Sequence, residues 1–568
     1  AGSTVTRVGS KLKISLGDNQ NYMVVGALAV DEPIKLLATQ EEAAKVHNPE
    51  SAKDAEAVAQ LAYMYKHAYS YVTDTKVTAT YDESKAVNTT KYESVISQKR
   101  NDNGIENSTL MCMMPHQWKY SDASYKKAES GKALIYNSVR GDLRIHEGNE
   151  FNYTQKFNGI IPQYTTPDES GSYDTEWMYA YLKQFTDSAL KSYWVADPYW
   201  QGKKSHPITM GILIADQLGE YETRDKLISV LRKIMENWLT YDGEEDFPYY
   251  MYYHTSWGAV SGDGGDHGMA INLSDHHFLW AYFIFPAAVL ASYDSQFVED
   301  YGDMVELLIR DAMNPDKDDE LLPYMRNFDV YEGHSWAGGY GDNNSGNNQE
   351  SASEALFSWV GMYLWGEATQ NDTYIDAGAY GFTTEMDAVE QYWFDYGDTN
   401  WLGDDPENDG GYDYPFQAAG QIYGASMGYG TYFGGQPTYV FGIQWLPISE
   451  YLTNYGMDQE KCAAIYKGLE DDTQYAIDIE TRLAAAKGET YDPNSYVTPD
   501  NGWQHITWPF LSQTDATRAY NKFEANAAQV QNTDRANTLW FITAMDQLGY
   551  RTNDYVVTGN ITGSVYYK

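Results

Sequence analysis

The stretch Glu222-Thr223-Arg224-Asp225-Lys226-Leu227-Ile228-Ser229-Val230-Leu231-Arg232-Lys233-Ile234-Met235-Glu236-Asn237-Trp238-Leu239 decides the fold class. Its apolar residues return every three or four positions, with Arg, Lys and Glu between them, which is the pattern of a helix with one buried face. The same pattern recurs upstream over Asp174–Leu190 and Thr209–Leu218, and downstream over Val298–Ala312, Glu350–Ala368 and Asn532–Leu548. Helix after helix with no strands between them predicts a bundle or an α/α toroid. The connections are long and glycine-rich, notably Tyr331–Gln349 and Gly403–Gly442. Connections of that length in a compact domain tend to carry function.

Upstream the character changes. Only Trp118 of the 16 Trp falls before residue 170. There Leu12–Leu16, Val72–Tyr81 and Ala133–Leu143 read as strands, with one helical insertion at about Ser51–His67. The expected division is a β-rich region over 1–169 and a helical domain over 170–568.

Charge narrows the function classes. Against 39 Lys+Arg stand 81 Asp+Glu, a net charge of −42, which repels nucleic acid. Aromatic residues make up 15% of the 568 residues, so this acidic chain is a folded protein and not a disordered one. No apolar run approaches the ~18 residues needed to span a bilayer. Cys112 and Cys462 are the only cysteines, which excludes a disulfide framework and leaves one long-range bridge open, with two buried free thiols the favoured reading. Acidity with abundant Tyr and Trp and scarce Cys fits a secreted, extracellular bacterial protein, and the start Ala1-Gly2-Ser3 reads as a processed end.

Three carboxylates stand out. At 100° per residue, Asp275 aligns with Leu279, Tyr282 and Val289 on the inward face of a predicted helix. The alternative is an acid answering the helix dipole beside a Ser274 cap. Pro286 is expected to kink or break that helix. Glu350 and Glu354, four apart, share a face that continues through Phe357, Gly361 and Leu364. Two like charges aimed at a core raise each other's pKa, which suits general acid or base work; a half-exposed first turn is the alternative. The loop beside them carries Tyr331, His334, Trp336 and Tyr340. Sugar rings stack on aromatic faces, and paired acids cleave glycosidic bonds. No P-loop, Gly-x-Ser-x-Gly elbow or His-Glu-x-x-His is present. His267, His276 and His277 are not spaced to form a metal site, and neither metal nor cofactor is expected.

Five motifs in one order, over about residues 170–450, resemble glycoside hydrolase family 81, the inverting endo-β-1,3-glucanases. They are Tyr253-His254-Thr255-Ser256-Trp257-Gly258, Ser274-Asp275-His276-His277-Phe278, Phe328-Asp329 through Trp336-Ala337, Gln349-Glu350-Ser351-Ala352-Ser353-Glu354, and the late pair Tyr432-Phe433-Gly434-Gly435-Gln436-Pro437 and Gly442-Ile443-Gln444-Trp445-Leu446-Pro447. The resemblance implies an N-terminal β-sandwich, a linking segment and an α/α toroid of six helical hairpins. It implies Asp275 as general acid and Glu350 and Glu354 as the catalytic glutamates, with Glu350 the base; beside them Tyr253, Trp257, His276, Asp329, His334 and Trp336 are the expected substrate contacts. Leu279 departs from a histidine of the yeast-like members, His254 from an aspartate, and Phe441 from a histidine. The implied activity is endo-hydrolysis of β-1,3-glucan by a monomer, with no nucleic-acid or membrane partner. Two other readings remain at this level. A lyase on uronic-acid polysaccharide would call for Lys and Arg in the cleft loops, and Tyr331–Gln349 has none. A non-catalytic glucan-binding cell-wall protein would lack one of the three carboxylates.

Overall fold

Where the sequence alternates, the backbone is extended. In the computed structural model Thr4–Val8 (β1), Lys11–Ser15 (β2) and Tyr22–Gly26 (β3) form an antiparallel sheet in the order β1-β2-β3. Beyond these three strands, the structure describes residues 63–64, 66–99, 106–122, 135–164, 175–243, 249–263, 268–339, 346–395, 414, 416–453 and 458–548. Most of the expected helix at 51–67, and Tyr340, His267 and residues 403–413 of the long connections, lie outside the described residues.

Ser70–Asp82 (β4) and Val87–Gln98 (β5) form a long hairpin, and Glu150–Lys156 (β9) pairs with the far side of β5. A third sheet has the order β6-β8-β7, from Thr109–Met113 (β6), Ile135–Ser138 (β7) and Gly141–Gly148 (β8). The single strand expected over 133–143 is therefore a hairpin. Gly141 at φ 91 supplies the left-handed turn that a longer side chain resists. Strand β9 alternates strictly, burying Phe151, Tyr153 and Gln155, and Tyr92, Met113, Phe151 and Tyr153 form an apolar cluster of their own.

The long helices that follow are Thr175–Ala189 (α1), Pro198–Gln217 (α2), Tyr221–Leu239 (α3), His276–Ala291 (α4), Ser295–Met313 (α5), Ala352–Thr369 (α6), Asp372–Tyr392 (α7), Gln459–Ala486 (α8), Gln504–Asn526 (α9) and Arg535–Gln547 (α10). Neighbours in sequence pack as pairs, α2 on α3, α4 on α5, α6 on α7 and α9 on α10. One member of each pair also touches the next, α2 on α4, α4 on α6 and α2 on α10. Composition explains which helix goes where. Helix α4 is buried from His276 to Leu290, whereas α3 and α5 bury one stripe and expose the other. A helix apolar all round belongs inside and an amphipathic one outside.

Three expectations give way. Helix α2 starts at Pro198, before the expected Thr209, because the Asp197 side chain accepts from Trp200 N at 2.9 Å and Pro198 fills the first helical position. Pro286 does not end α4, and Pro207 lies inside α2, since each removes one backbone bond from a helix that its neighbours hold on all sides. Short strands also stand between the helices: Met251–His254 (β10) with Ala259–Gly262 (β11), Phe328–Asp329 (β12) with His334–Ser335 (β13), and the sheet of Asn348–Gln349 (β14), Gln421–Tyr423 (β15) and Met427–Gly428 (β16). Both cysteines are free, Cys462 buried and Cys112 half-buried. Among the described residues no helix is long and apolar enough to cross a membrane.

Candidate active site

The site begins with backbone pairing between segments distant in sequence. Asp275 N donates to Ala337 O at 2.8 Å, and Gly339 N donates to Leu273 O at 2.9 Å. Ala337 N in turn donates to Asn348 O at 2.7 Å, and the Asn347 side chain bonds both N–H and C=O of Gly338. Gln349 pairs with Ile422 in the next strand. Segments 273–275, 337–339, 347–349 and 421–423 thus lie side by side, with Asp275 at the entry to α4 and Glu350 near the entry to α6.

This changes the expected geometry of the acids. Asp275 is not on the helix face but is its N-cap residue, at φ 64, and its carboxylate makes no cap hydrogen bond. Ser274 is not a cap either; it forms a β-bridge with Gly338. The capping hydrogen bond is therefore absent and the carboxyl is left for other chemistry. Glu350 precedes α6, which starts at Ala352, so Glu350 and Glu354 are not stacked one turn apart on a helix.

Burial, with the charges of Glu354 and Glu350, pushes the Asp275 carboxyl up to about 7. Burial likewise pushes Glu350 up to about 7; the Tyr432 N–H, 2.9 Å from Oε1, opposes the rise, Glu354 adds to it and the Gln421 side chain opposes it. Glu354 is different. It is 2% exposed, and its Oε1 accepts from Tyr282 OH at 2.6 Å, Tyr199 OH at 3.3 Å and the Lys203 ammonium. Oε1, receiving three donors, has no free lone pair left for a water proton, so Glu354 could meet a water only through Oε2. Two carboxyls that titrate near neutrality can divide labour, one holding a proton while the other lacks it.

The aromatic contacts expected from sequence divide into two groups. Trp257, at the turn between β10 and β11, is 46% exposed. Tyr253 is half-buried and donates to Leu321 O at 2.7 Å. Trp336 is half-buried, with the Arg140 guanidinium 5.4 Å from its ring and its Nε1 donating to Asp329 Oδ2 at 3.3 Å. Asp329 Oδ1 closes a local turn by accepting from Tyr331 N and Glu332 N. His276 and His334 are corrections, since neither reaches the surface. His276 bonds Asp311 Oδ2 through Nδ1 at 2.5 Å and Met269 O through Nε2 at 3.1 Å, so both ring nitrogens are occupied by protein. His334 sits between Trp336 and Trp393, with ring centroids 4.6 and 5.1 Å away, and burial holds it neutral.

Sequence reasoning missed Tyr199, Lys203 and Gln421, and placed Tyr282 on the inward face without a role; all four come from other segments to meet the glutamates. It quoted Tyr432 in a motif without giving it a role. Tyr432 is 70% exposed and its hydroxyl feels the charges of Asp275 and Glu350, so it stands at the open side of the site.

The family model described as the glycosyl hydrolase family 81 C-terminal domain matches residues 176–462. A glucan endo-1,3-beta-D-glucosidase of Acetivibrio thermocellus is 32% identical over 505 residues, covering 89% of this chain and 59% of the relative. The Thermobifida fusca protein of that name is 31% identical over 504 residues, covering 87% of the chain and 60% of its own length. The chain thus spans about three fifths of the length of these relatives. A solved glycoside hydrolase family 81 structure from Clostridium thermocellum, of a mutant, superposes with a TM-score of 0.75 at 28% identity, covering 97% of this chain and 67% of that one. Family model, relatives and structural neighbour agree with the five sequence motifs: the chain belongs to glycoside hydrolase family 81.

Proposed function

We propose that this protein hydrolyses internal β-1,3-glucosidic bonds of β-1,3-glucan with inversion at the anomeric carbon. The observation that carries the reading is the pair Asp275 and Glu350, on different segments of one strand layer, both raised to about 7, with the third carboxylate, Glu354, bonded to three donors beside them. Asp275 gives its proton to the glucosidic oxygen as the bond to C1 breaks. Glu350 takes a proton from the water that attacks C1 from the opposite face. Acid and base of such an enzyme stand roughly 6.5–9.5 Å apart, which leaves room for that water. Glu354 orients the water or tunes Glu350. Trp257, Tyr253 and Trp336 supply aromatic surface for the glucan chain, which is uncharged and meets no repulsion from a net charge of −42.

The architecture we infer is a sandwich-like region over 1–169 and an α/α toroid over 170–568. The mutual contacts of α2, α4, α6 and α10, with α3, α5, α7 and α9 as their paired partners, support the toroid. A secreted, extracellular monomer acting on wall or storage glucan fits this reading. The test is reducing-end release from laminarin, with proton NMR of the first product. The α-anomer is expected; an initial β-anomer overturns inversion, and no release overturns hydrolysis.

A further inference from the structure

Glu354 has 3% of its side chain exposed, at the junction of α2, α4 and α6, where an unpaired carboxylate would be costly. Its counter-charge comes from α2. The Lys203 ammonium bonds Glu354 Oε1, donates to Tyr282 OH at 2.6 Å, and lies 5.0 and 4.6 Å from the ring centroids of Tyr199 and Tyr282. Tyr199 and Tyr282 complete the cage by donating to the same Glu354 oxygen. Lys203 also faces His206 and His505, but burial keeps both imidazoles neutral, leaving Glu354 as its anionic partner among them. On the other side, Asp275 is faced by Glu354, Glu350 and His276, and its charge is felt by Tyr199 and Tyr432.

We propose that Lys203 is a positioning residue for this reaction: as the counter-ion that lets Glu354 carry its charge in the interior, it sets through Glu354 the pH range in which Asp275 holds the proton it donates. The proposal rests on the assignment of Asp275 and Glu350 made above. Without Lys203, the buried Glu354 takes up a proton and becomes neutral, because a lone buried carboxylate is the costlier state. The field on Asp275 and Glu350 weakens, and both titrate lower.

The experiment measures kcat/KM on laminarin against pH for wild type, Lys203→Met, Glu354→Gln and the double variant, with thermal unfolding to confirm the fold. Wild type is expected to give a narrow bell near neutrality. Lys203→Met should move the bell to lower pH by about 1 unit, the effect of one nearby charge. In the Glu354→Gln background, Lys203→Met should produce no further movement. The double variant replaces the ion pair as a unit and keeps the test open if Lys203→Met alone does not fold. Where turnover is too low, the pH dependence of laminarioligosaccharide affinity by calorimetry reads the same ionisations. A bell that stays in place or moves to higher pH in Lys203→Met overturns the proposal, as does a further shift in the double variant. Absence of laminarin hydrolysis by wild type would instead overturn the functional reading.

Discussion

Asp275 sits in a backbone conformation that few residues accept. At φ 64 it lies in the left-handed region, where Asp and Asn are among the best-tolerated side chains after glycine. Asp275→Asn therefore preserves both shape and backbone while removing the ionisable proton. We expect turnover on laminarin to fall by about 10²–10⁴-fold with an unchanged melting temperature, the cost of losing a general acid. Glu350→Gln should fall by a similar factor, and Glu354→Gln by less, since Glu354 reaches the chemistry through its neighbours. Kinetics on the three variants ranks them, and a Glu354→Gln loss exceeding that of Glu350→Gln would exchange their roles. The three acids are conspicuous in the sequence because they interrupt apolar patterns, although Asp275 stands at the N-cap of its helix and Glu350 precedes the next instead of lying on a helix face. Their surroundings are not. Glu350 is kept off the helix by the pairing of Gln349 with Ile422, far downstream, and Lys203 meets Glu354 from a different helix. His276 and His334 were misread for a related reason: imidazoles in a cleft-like motif look like sugar contacts, and only the fold reveals that Asp311, Trp336 and Trp393 enclose them.

Helices α1, α3 and α5 were readable because each has one wet and one dry side. Helix α7 was not, since Gly378, Gly381 and its Thr pair lower local helix propensity. Packing overrides that propensity. A Cβ on Gly378 would lie 2.7 Å from Tyr363 N, and one on Gly381 only 2.2 Å from Trp359 Cδ2, so these glycines let α7 approach α6. Trp359 has little room to retreat, because its Nε1 donates to Glu385 Oε2 at 2.7 Å. Glu385 also accepts from Ser335 N at 2.6 Å and from Ser335 Oγ at 2.9 Å, which ties the helix pair to β13 and, two residues on, to the Ala337 carbonyl that holds Asp275. Gly381→Ala should cost about 1–3 kcal/mol by overpacking and lower activity through this connection. Urea unfolding measures the first; an unchanged midpoint would mean that the indole slides aside freely.

Over the whole molecule the Trp distribution marks a change of character near residue 170, but it says nothing of the buried polar contacts between the strands and α7. Asn88 Nδ2 on β5 donates to Ala379 O and Thr383 Oγ1 of α7, both at 3.0 Å, and Gln155 Nε2 on β9 donates to Asp387 Oδ2 at 2.5 Å. These contacts bear on stability against pH. Burial pushes Glu385 and Asp387 up to about 7 and Glu450 up to about 8, from 4.5, 3.8 and 4.5. A carboxyl whose pKa is higher folded than unfolded binds more protons in the folded state. Its contribution is fully present below about 4 and is lost as pH rises through 7 to 8. The net charge of −42 at pH 7 acts in the same direction through self-repulsion. Opposing them, Asp311 and Asp319 are held low: burial works against both, but His276 and Arg326 outweigh it for the first, and backbone N–H groups with Arg310 for the second. Their contribution disappears only as pH falls below the ordinary carboxylate range. The melting temperature should therefore be highest in mildly acid solution and fall steadily from about pH 5 to pH 8. Asp387→Asn, which removes a raised carboxyl at the junction of β9 and α7, should flatten that fall in a series of thermal scans. A melting temperature that climbs from pH 5 to pH 8 would mean that these carboxyls are solvated in the folded protein.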